Sequence, residues 1–232
     1  MIGRLPPDWA EAVAHRFDDT HLDRVRQRVA QDGAKPGVAV YPPDTQVFAA
    51  FELTRFADVQ AVILGQDPYY QPDLACGLAF SVPASLPPET PRPRALKRIV
   101  AEAAPEQHRG VPAYPTLERW ASHGVMLLNT VLTVRRDDPL SHRSYGWQQL
   151  TSAVVDALAA RPGPIVFLLW GEQAKSKGRL IDRSRHIVLE SAHPSARVPH
   201  GDPDSFVGSR PFIHANLELR ARGKPLIDWS LS

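Results

Sequence analysis

The chain reads as a single α/β domain of three layers: a central, mainly parallel four-stranded sheet with helices on both faces. Three observations predict this class. Four short apolar runs, Ala61–Leu64, Val125–Leu128, Ile165–Trp170 and His186–Glu190, have the length and continuity of buried strands. Segments with apolar residues at helical spacing separate them, and strands alternating with helices give a parallel sheet. Each run ends at a glycine or a polar turn, and the carboxyl ends of strands in such sheets are where ligands sit.

The elements follow in order. Asp8 is placed to cap a helix carrying Trp9, Val13 and Phe17 on one face. Leu22, Val25 and Val29 continue at helical spacing after a break near Asp18-Asp19-Thr20, so residues 1–40 form a helical N-terminal part. After the loop Lys35–Asp44, the mostly apolar Gln46–Phe56 predicts a further short helix. The first strand runs into Gly65-Gln66-Asp67-Pro68-Tyr69-Tyr70, a turn stiffened by Pro68. Alone, that segment is equally an ordinary strand-to-loop turn exposing its polar residues.

The stretch Gln71–Pro93 is long and proline-rich, and long irregular segments in compact domains are usually functional or disordered. Within it Gly77–Val82 is too apolar to be solvated and is expected to pack back towards the crevice. Leu96, Ile99 and Val100 mark a helix behind a basic cluster of Arg92, Arg94, Lys97 and Arg98, which reads as a solvated face or as a nucleic-acid site. Thr116 is expected to cap a short helix through Trp120, ended by Gly124. The second strand runs into Asn129. Leu140–Tyr145 is a loop, and a helix from Gly146 presents Trp147, Leu150, Val154, Ala157 and Leu158 to the core until Arg161-Pro162-Gly163-Pro164 stops it. The third strand ends at Gly171, and Ala174–Ile181 reads as helical, carrying Lys175, Lys177 and Arg179. The fourth is followed by Ser191-Ala192-His193-Pro194-Ser195, and a last helix spans Pro211–Arg222 with Gly223 as its cap. No repeat or low-complexity tract divides residues 1–232, so one domain is expected.

Composition narrows the class without choosing a function. With 232 residues, 43% apolar and 22% charged, the chain is an ordinary globular one able to bury a full core. A net charge of +2 is no argument for a polyanionic partner without a local basic patch. Cys76 is the only cysteine, which leaves no intramolecular disulfide and no thiolate zinc cage and fits a reducing compartment. Met1–Pro7 lacks an apolar signal core and no run approaches membrane-spanning length, so the expected location is the cytoplasm, with a nuclear or nucleoid-associated one open, and no membrane partner. There is no glycine-rich phosphate loop of either common type.

Asp67, Asn129 and His193 each follow a strand at the same edge of the sheet. Gly65-Gln66-Asp67-Pro68-Tyr69 followed by Gly77-Leu78-Ala79-Phe80-Ser81-Val82 resembles the uracil-DNA glycosylases of the principal family, family one. So do Gly124–Val134, Val166-Phe167-Leu168-Leu169-Trp170-Gly171, His193-Pro194-Ser195 and Ile227-Asp228-Trp229. The likeness runs from about Tyr41 to Trp229 in the family's order and approximate spacing.

The resemblance implies hydrolysis of the N-glycosidic bond of uracil in DNA, leaving an abasic site, with the base flipped out of the stack and no metal or organic cofactor. It implies that Asp67 stabilises the cationic sugar and positions the attacking water, and that His193 hydrogen-bonds the uracil oxyanion. Such contributions are worth about 100- to 10 000-fold and about 100- to 1000-fold. It implies that Asn129 reads the base edge, Tyr69 excludes the thymine methyl, Phe80 stacks on the base and Gln66 lines the same pocket. Gly171, Ala95, Ser195 and Arg197 fall where the family grips DNA. The implied partners are single- or double-stranded uracil-containing DNA and a proteinaceous inhibitor, with the chain a monomer.

Departures from the family lie around the grip. Tyr70 stands where the family has His, and Arg197 stands where a leucine wedges into the duplex. Family serines are matched by Ala95, Glu172 and Val198, and the loop Pro199–Val207 looks lengthened. An arginine can stack or bind phosphate where an apolar wedge fills the gap, and Glu172 should repel phosphate. The expectation is retained chemistry with altered duplex engagement and weak binding of inhibitors that grip the wedge. The alternative is a non-catalytic uracil- or DNA-binding relative, against which the complete set Asp67, Asn129 and His193 argues.

Overall fold

The four apolar runs form one sheet in which every strand is parallel to its neighbours, where the sequence predicts a mainly parallel one. The computed structural model describes residues 2–106, 110–113, 115–199 and 201–231. In chain order its elements are α1 (Pro7–Val13), α2 (Asp19–Gly33), β1 (Val40–Tyr41), α3 (Ala49–Leu53), β2 (Ala61–Gly65), α4 (Arg94–Ala103) and α5 (Glu118–Ser122). They continue with β3 (Val125–Asn129), β4 (Val134–Arg135), α6 (Trp147–Ala159), β5 (Val166–Trp170), α7 (Glu172–Lys177), β6 (Ile187–Ser191) and α8 (Pro211–Ala221).

Strand order is β3-β2-β5-β6, with Ala61 level with both Val125 and Val166. Successive residues of a strand point to opposite faces, yet every residue of β2, β3 and β5 is buried, so both faces of the sheet are covered. The helices α1, α2 and α6 pack on one another as one group and α4 and α8 as another. Trp120, Phe212 and Trp229 close the core beyond the sheet, and Trp120 Nε1 donates to Trp229 O at 3.0 Å, fastening the C-terminal segment to α5. After β3 the chain crosses β2 to reach β5. That reversal puts a topological switch point at the carboxyl ends of β2 and β5.

Several local expectations are corrected. Pro6, not Asp8, precedes the first helix; the Asp8 carboxylate instead accepts the Phe56 N–H at 2.8 Å and fastens the segment leading to β2. Gln46–Phe56 is not one helix: a 3₁₀ turn over Asp44–Gln46 precedes the short α3. Thr116 does not cap α5; Leu117 precedes it, its N–H taken by Ser81 Oγ at 2.9 Å. Helix α7 starts two residues earlier than expected, at Glu172, and gives way to a 3₁₀ turn at Gly178–Leu180. The antiparallel pair β1–β4 is unannounced in the sequence. Of the loop 199–207, His200 lies outside the described residues.

Candidate active site

The ends of β2 and β3 are stitched together so closely that the turn after β2 has no freedom. Thr130 N–H donates to Gly65 O at 3.0 Å, while Val131 N–H and the Thr130 hydroxyl both donate to Gln66 O at 2.9 Å. Gly65 is required by space: a Cβ there would land on Asn129 Oδ1 and press on the Ala79 methyl. The Asn129 carboxamide therefore lies across the end of β2. It is 5% exposed.

Asp67 projects from this turn, and its Oδ2 accepts the Leu140 N–H at 2.7 Å. Burial pushes the carboxyl above its ordinary range, against the pull of that hydrogen bond. Leu140 has φ +63°, a left-handed conformation that an L side chain holds only when its surroundings fix it. A buried polar network fixes them. Trp147 Nε1 and His142 Nδ1 both lie 2.7 Å from Thr133 Oγ1, and His142 Nε2 lies 3.0 Å from Asp32 Oδ2. The indole can only donate, so the threonine hydroxyl is free to donate to Nδ1 and the neutral ring donates Nε2–H to the carboxylate. Arg135 and Lys35 also bond Asp32. Burial works to raise the Asp32 carboxyl, but these donors outweigh it and hold it well below the usual range. The loop from β4 to α6 is thus anchored to α2, and it presents the Leu140 N–H to Asp67.

One wall of the site is aromatic. Phe80 has φ +64°, and its ring centre lies 5.6 Å from those of Trp170 and His193. Ala79 N–H donates to Leu127 O at 3.0 Å, so the Gly77–Val82 stretch packs against β3 as its apolar character requires. The Tyr69 hydroxyl donates to Phe80 O at 3.0 Å, and burial pushes its phenol far above the ordinary value. Tyr69 is a neutral, tethered ring.

His193 follows β6. Ser195 N–H donates to its Nδ1 at 3.1 Å and the Ser195 hydroxyl lies 2.7 Å away. A nitrogen that accepts a backbone N–H carries no proton, so the neutral ring carries it on Nε2. Burial lowers the pKa of His193 and favours that neutral form. Gly171, at φ +89° and ψ 161°, lets the backbone after β5 pass His193; a Cβ there would meet the His193 Cβ at 3.1 Å.

A cavity of about 560 Å³ joins these groups. Of the residues singled out in the sequence, it is lined by Gln66, Asp67, Tyr69, Phe80, Asn129 and His193, with Ala95 and Ser195 also on it. Tyr70, Cys76 and Arg94 share the lining. Gly171 and Arg197 do not line it: Gly171 backs His193, and Arg197 is exposed on the loop beyond. The basic cluster divides. Arg92 donates to the carbonyls of Leu86, Pro87 and Thr90, and Arg98 to those of Pro194 and Ala196, whereas Arg94 and Lys97 are exposed. Glu172 does not face outward unaccompanied: Lys175 bridges it at 3.3 Å to Asp204 at 2.6 Å. The Leu140 N–H was not foreseeable from any local signal, while Arg98 was visible only as part of a charge cluster.

The model of the uracil DNA glycosylase superfamily matches residues 51–220. A curated uracil-DNA glycosylase of Bacillus velezensis is 40% identical over 227 residues, covering 98% of this chain and 96% of its own length. The crystal structure of mimivirus uracil-DNA glycosylase superposes with a TM-score of 0.83 at 23% identity, over 99% of this chain and 88% of that one, a likeness of fold. A variant of that mimivirus protein, solved in complex with UGI, gives a TM-score of 0.82 at 23% identity over 99% and 89% of the two chains. The family model spans most of the chain and the bacterial relative nearly all of it: this chain belongs to the uracil-DNA glycosylase superfamily.

Proposed function

We propose that the chain takes uracil flipped out of DNA into this cavity and hydrolyses its N-glycosidic bond, as a base-excision repair enzyme. The observation that carries the reading is the Asn129 carboxamide, buried and lining one cavity with the Asp67 carboxylate and the His193 ring. An amide N–H and C=O match the O4 and N3–H of uracil. Cytosine reverses both groups and leaves two buried polar atoms unpaired, a cost that discriminates strongly. Tyr69, tethered through its hydroxyl, occupies the space a thymine methyl needs, and Phe80 offers a face on which any base stacks.

As the C1′–N1 bond lengthens, its electron pair moves onto the uracil ring and the sugar becomes cationic. His193 Nε2–H meets the charge on the uracil oxygen in a site already arranged for it. The Asp67 carboxylate meets the sugar charge and directs water to C1′, its unprotonated oxygens oriented by the Leu140 N–H.

Duplex engagement is proposed to be altered. Arg197 offers an exposed planar cation in the loop after His193, and the Glu172 charge is moderated by Lys175. Weak binding of an inhibitor protein follows from the changed wedge, while the mimivirus variant solved with UGI supports inhibitor binding by this fold. A monomer in the cytoplasm suits a repair enzyme with bacterial relatives; among the described residues no helix is long and apolar enough to cross a membrane.

The test is release of free base from oligonucleotides carrying one uracil, thymine or cytosine, single-stranded and paired with adenine or guanine. Uracil alone is expected to be released, with Arg197→Leu shifting the ratio of single- to double-strand rates. No release of uracil contradicts the activity; an unchanged strand ratio in Arg197→Leu contradicts the altered grip.

A further inference from the structure

Helix α4 holds the loop that carries His193 at both ends. Arg98 and Glu102 are one helical repeat of four residues apart and share a face of α4. Arg98 Nη1 donates to Pro194 O and to Ala196 O, each at 2.6 Å. Glu102 accepts the N–H groups of Gly208 at 2.6 Å and Arg210 at 3.0 Å. The guanidinium therefore grips the two carbonyls that bracket Ser195, the residue whose N–H and hydroxyl bond the His193 ring. Hydrogen bonds from a charged donor are short and strong, so this grip sets where the 194–196 backbone lies.

We propose that Arg98 is a positioning residue for the reaction: it fixes the 194–196 backbone so that Ser195 N–H stays on His193 Nδ1 and the Nε2–H of His193 stays on the cavity side. The inference rests on His193 being the donor to the departing base. Arg98 acts on that ring through Nη1, whose donors are committed to the loop; KM in the test below separates this role from a contact with DNA through its remaining N–H groups.

The experiment is a pair of double-mutant cycles on the full chain, Arg98→Met with His193→Ala and Arg98→Lys with His193→Ala. Single-turnover release of uracil from a single-stranded oligonucleotide is measured together with KM and the thermal midpoint. A misplacement near 1 Å costs on the order of 100-fold, so R98M is expected to lower the rate about 10- to 100-fold with KM nearly unchanged. R98K keeps the charge but not the planar fork, and is expected to retain part of the rate. In the H193A background both substitutions are expected to cost almost nothing, because the group they position is gone. Nitrogen-15 NMR of the ring is expected to report Nε2–H in the wild type and a tautomer mixture in R98M. Equal losses in both backgrounds, or a raised KM with unchanged turnover, overturn the positioning role. R98K, the milder change, decides the matter where R98M does not fold. A wild type that releases no uracil overturns the parent reading and this one with it; an active wild type with uncoupled cycles overturns this one alone.

Discussion

Asp67 and His193 are pushed in opposite directions by the same burial, and only His193 is pushed towards the form the proposed reaction uses. Burial raises the Asp67 carboxyl above its ordinary 3.8, which works against its anion, and lowers the His193 ring below its ordinary 6.5, which favours the neutral N–H donor. In the proposed reaction Asp67 acts as the carboxylate and His193 as the neutral ring that accepts Ser195 N–H at Nδ1, so protonating either one is expected to lower the rate. Because His193 is depressed, its own protonation limits excision only below pH 6.5. In His193→Gln the amide donates without titrating, and the remaining limb belongs to Asp67 with a midpoint above 3.8. Profiles of kcat/KM against pH for the two proteins check this. A wild-type limb centred at or above 6.5 that His193→Gln removes contradicts it.

The strand ends and the loops after them decide which side chains meet. Gly171, at φ +89° and ψ 161°, occupies a backbone region reserved almost entirely for glycine, and it passes within contact of His193. Gly171→Ala is expected to cost about 1–3 kcal/mol of stability. Its excision rate, measured well below the melting range, is expected to fall as well, because the displaced neighbour is His193. An unchanged rate in a destabilised variant contradicts that coupling.

What was legible at this scale followed from local pattern. The runs Ala61–Leu64 and Val125–Leu128 could be little else than buried strands, and the polar residues ending them came together as the sheet class requires. Asp8 was misread because a carboxylate before an apolar helical stretch is a cap signal, while its true partner, the Phe56 N–H, is distant in sequence. The same holds for β1: Val40–Tyr41 pairs with Val134–Arg135 across most of the first half of the chain, and two-residue ladders carry no periodicity. Arg98 was readable as charge, but its partners are carbonyls, which every residue has.

At the scale of the molecule, the site depends on a buried ionic cluster at its back. Asp32, 1% exposed, receives Arg135, Lys35 and His142 and anchors the loop that reaches Asp67. Asp32→Asn removes a charged acceptor whose cationic partners, Arg135 and Lys35, reach solvent, so it is expected to cost about 1–3 kcal/mol at pH 7. The pKa of this carboxyl is depressed in the folded state, so its contribution is complete above about 3.8 and is lost as pH falls further, through the folded value. Urea midpoints of the two proteins should therefore differ fully at neutral pH and converge only in strong acid. A gap that closes between pH 7 and 5 contradicts the assignment.

In the proposed reaction, chemistry at this cavity runs through the Asp67 carboxylate with His193 as its partner. Single-turnover excision from one uracil-containing oligonucleotide, compared among the wild type, Asp67→Asn and His193→Gln, tests it most directly. Losses of about 100- to 10 000-fold are expected for Asp67→Asn and up to about 1000-fold for His193→Gln, in proteins whose thermal midpoints match the wild type. An Asp67→Asn protein that excises uracil at the wild-type rate would contradict it.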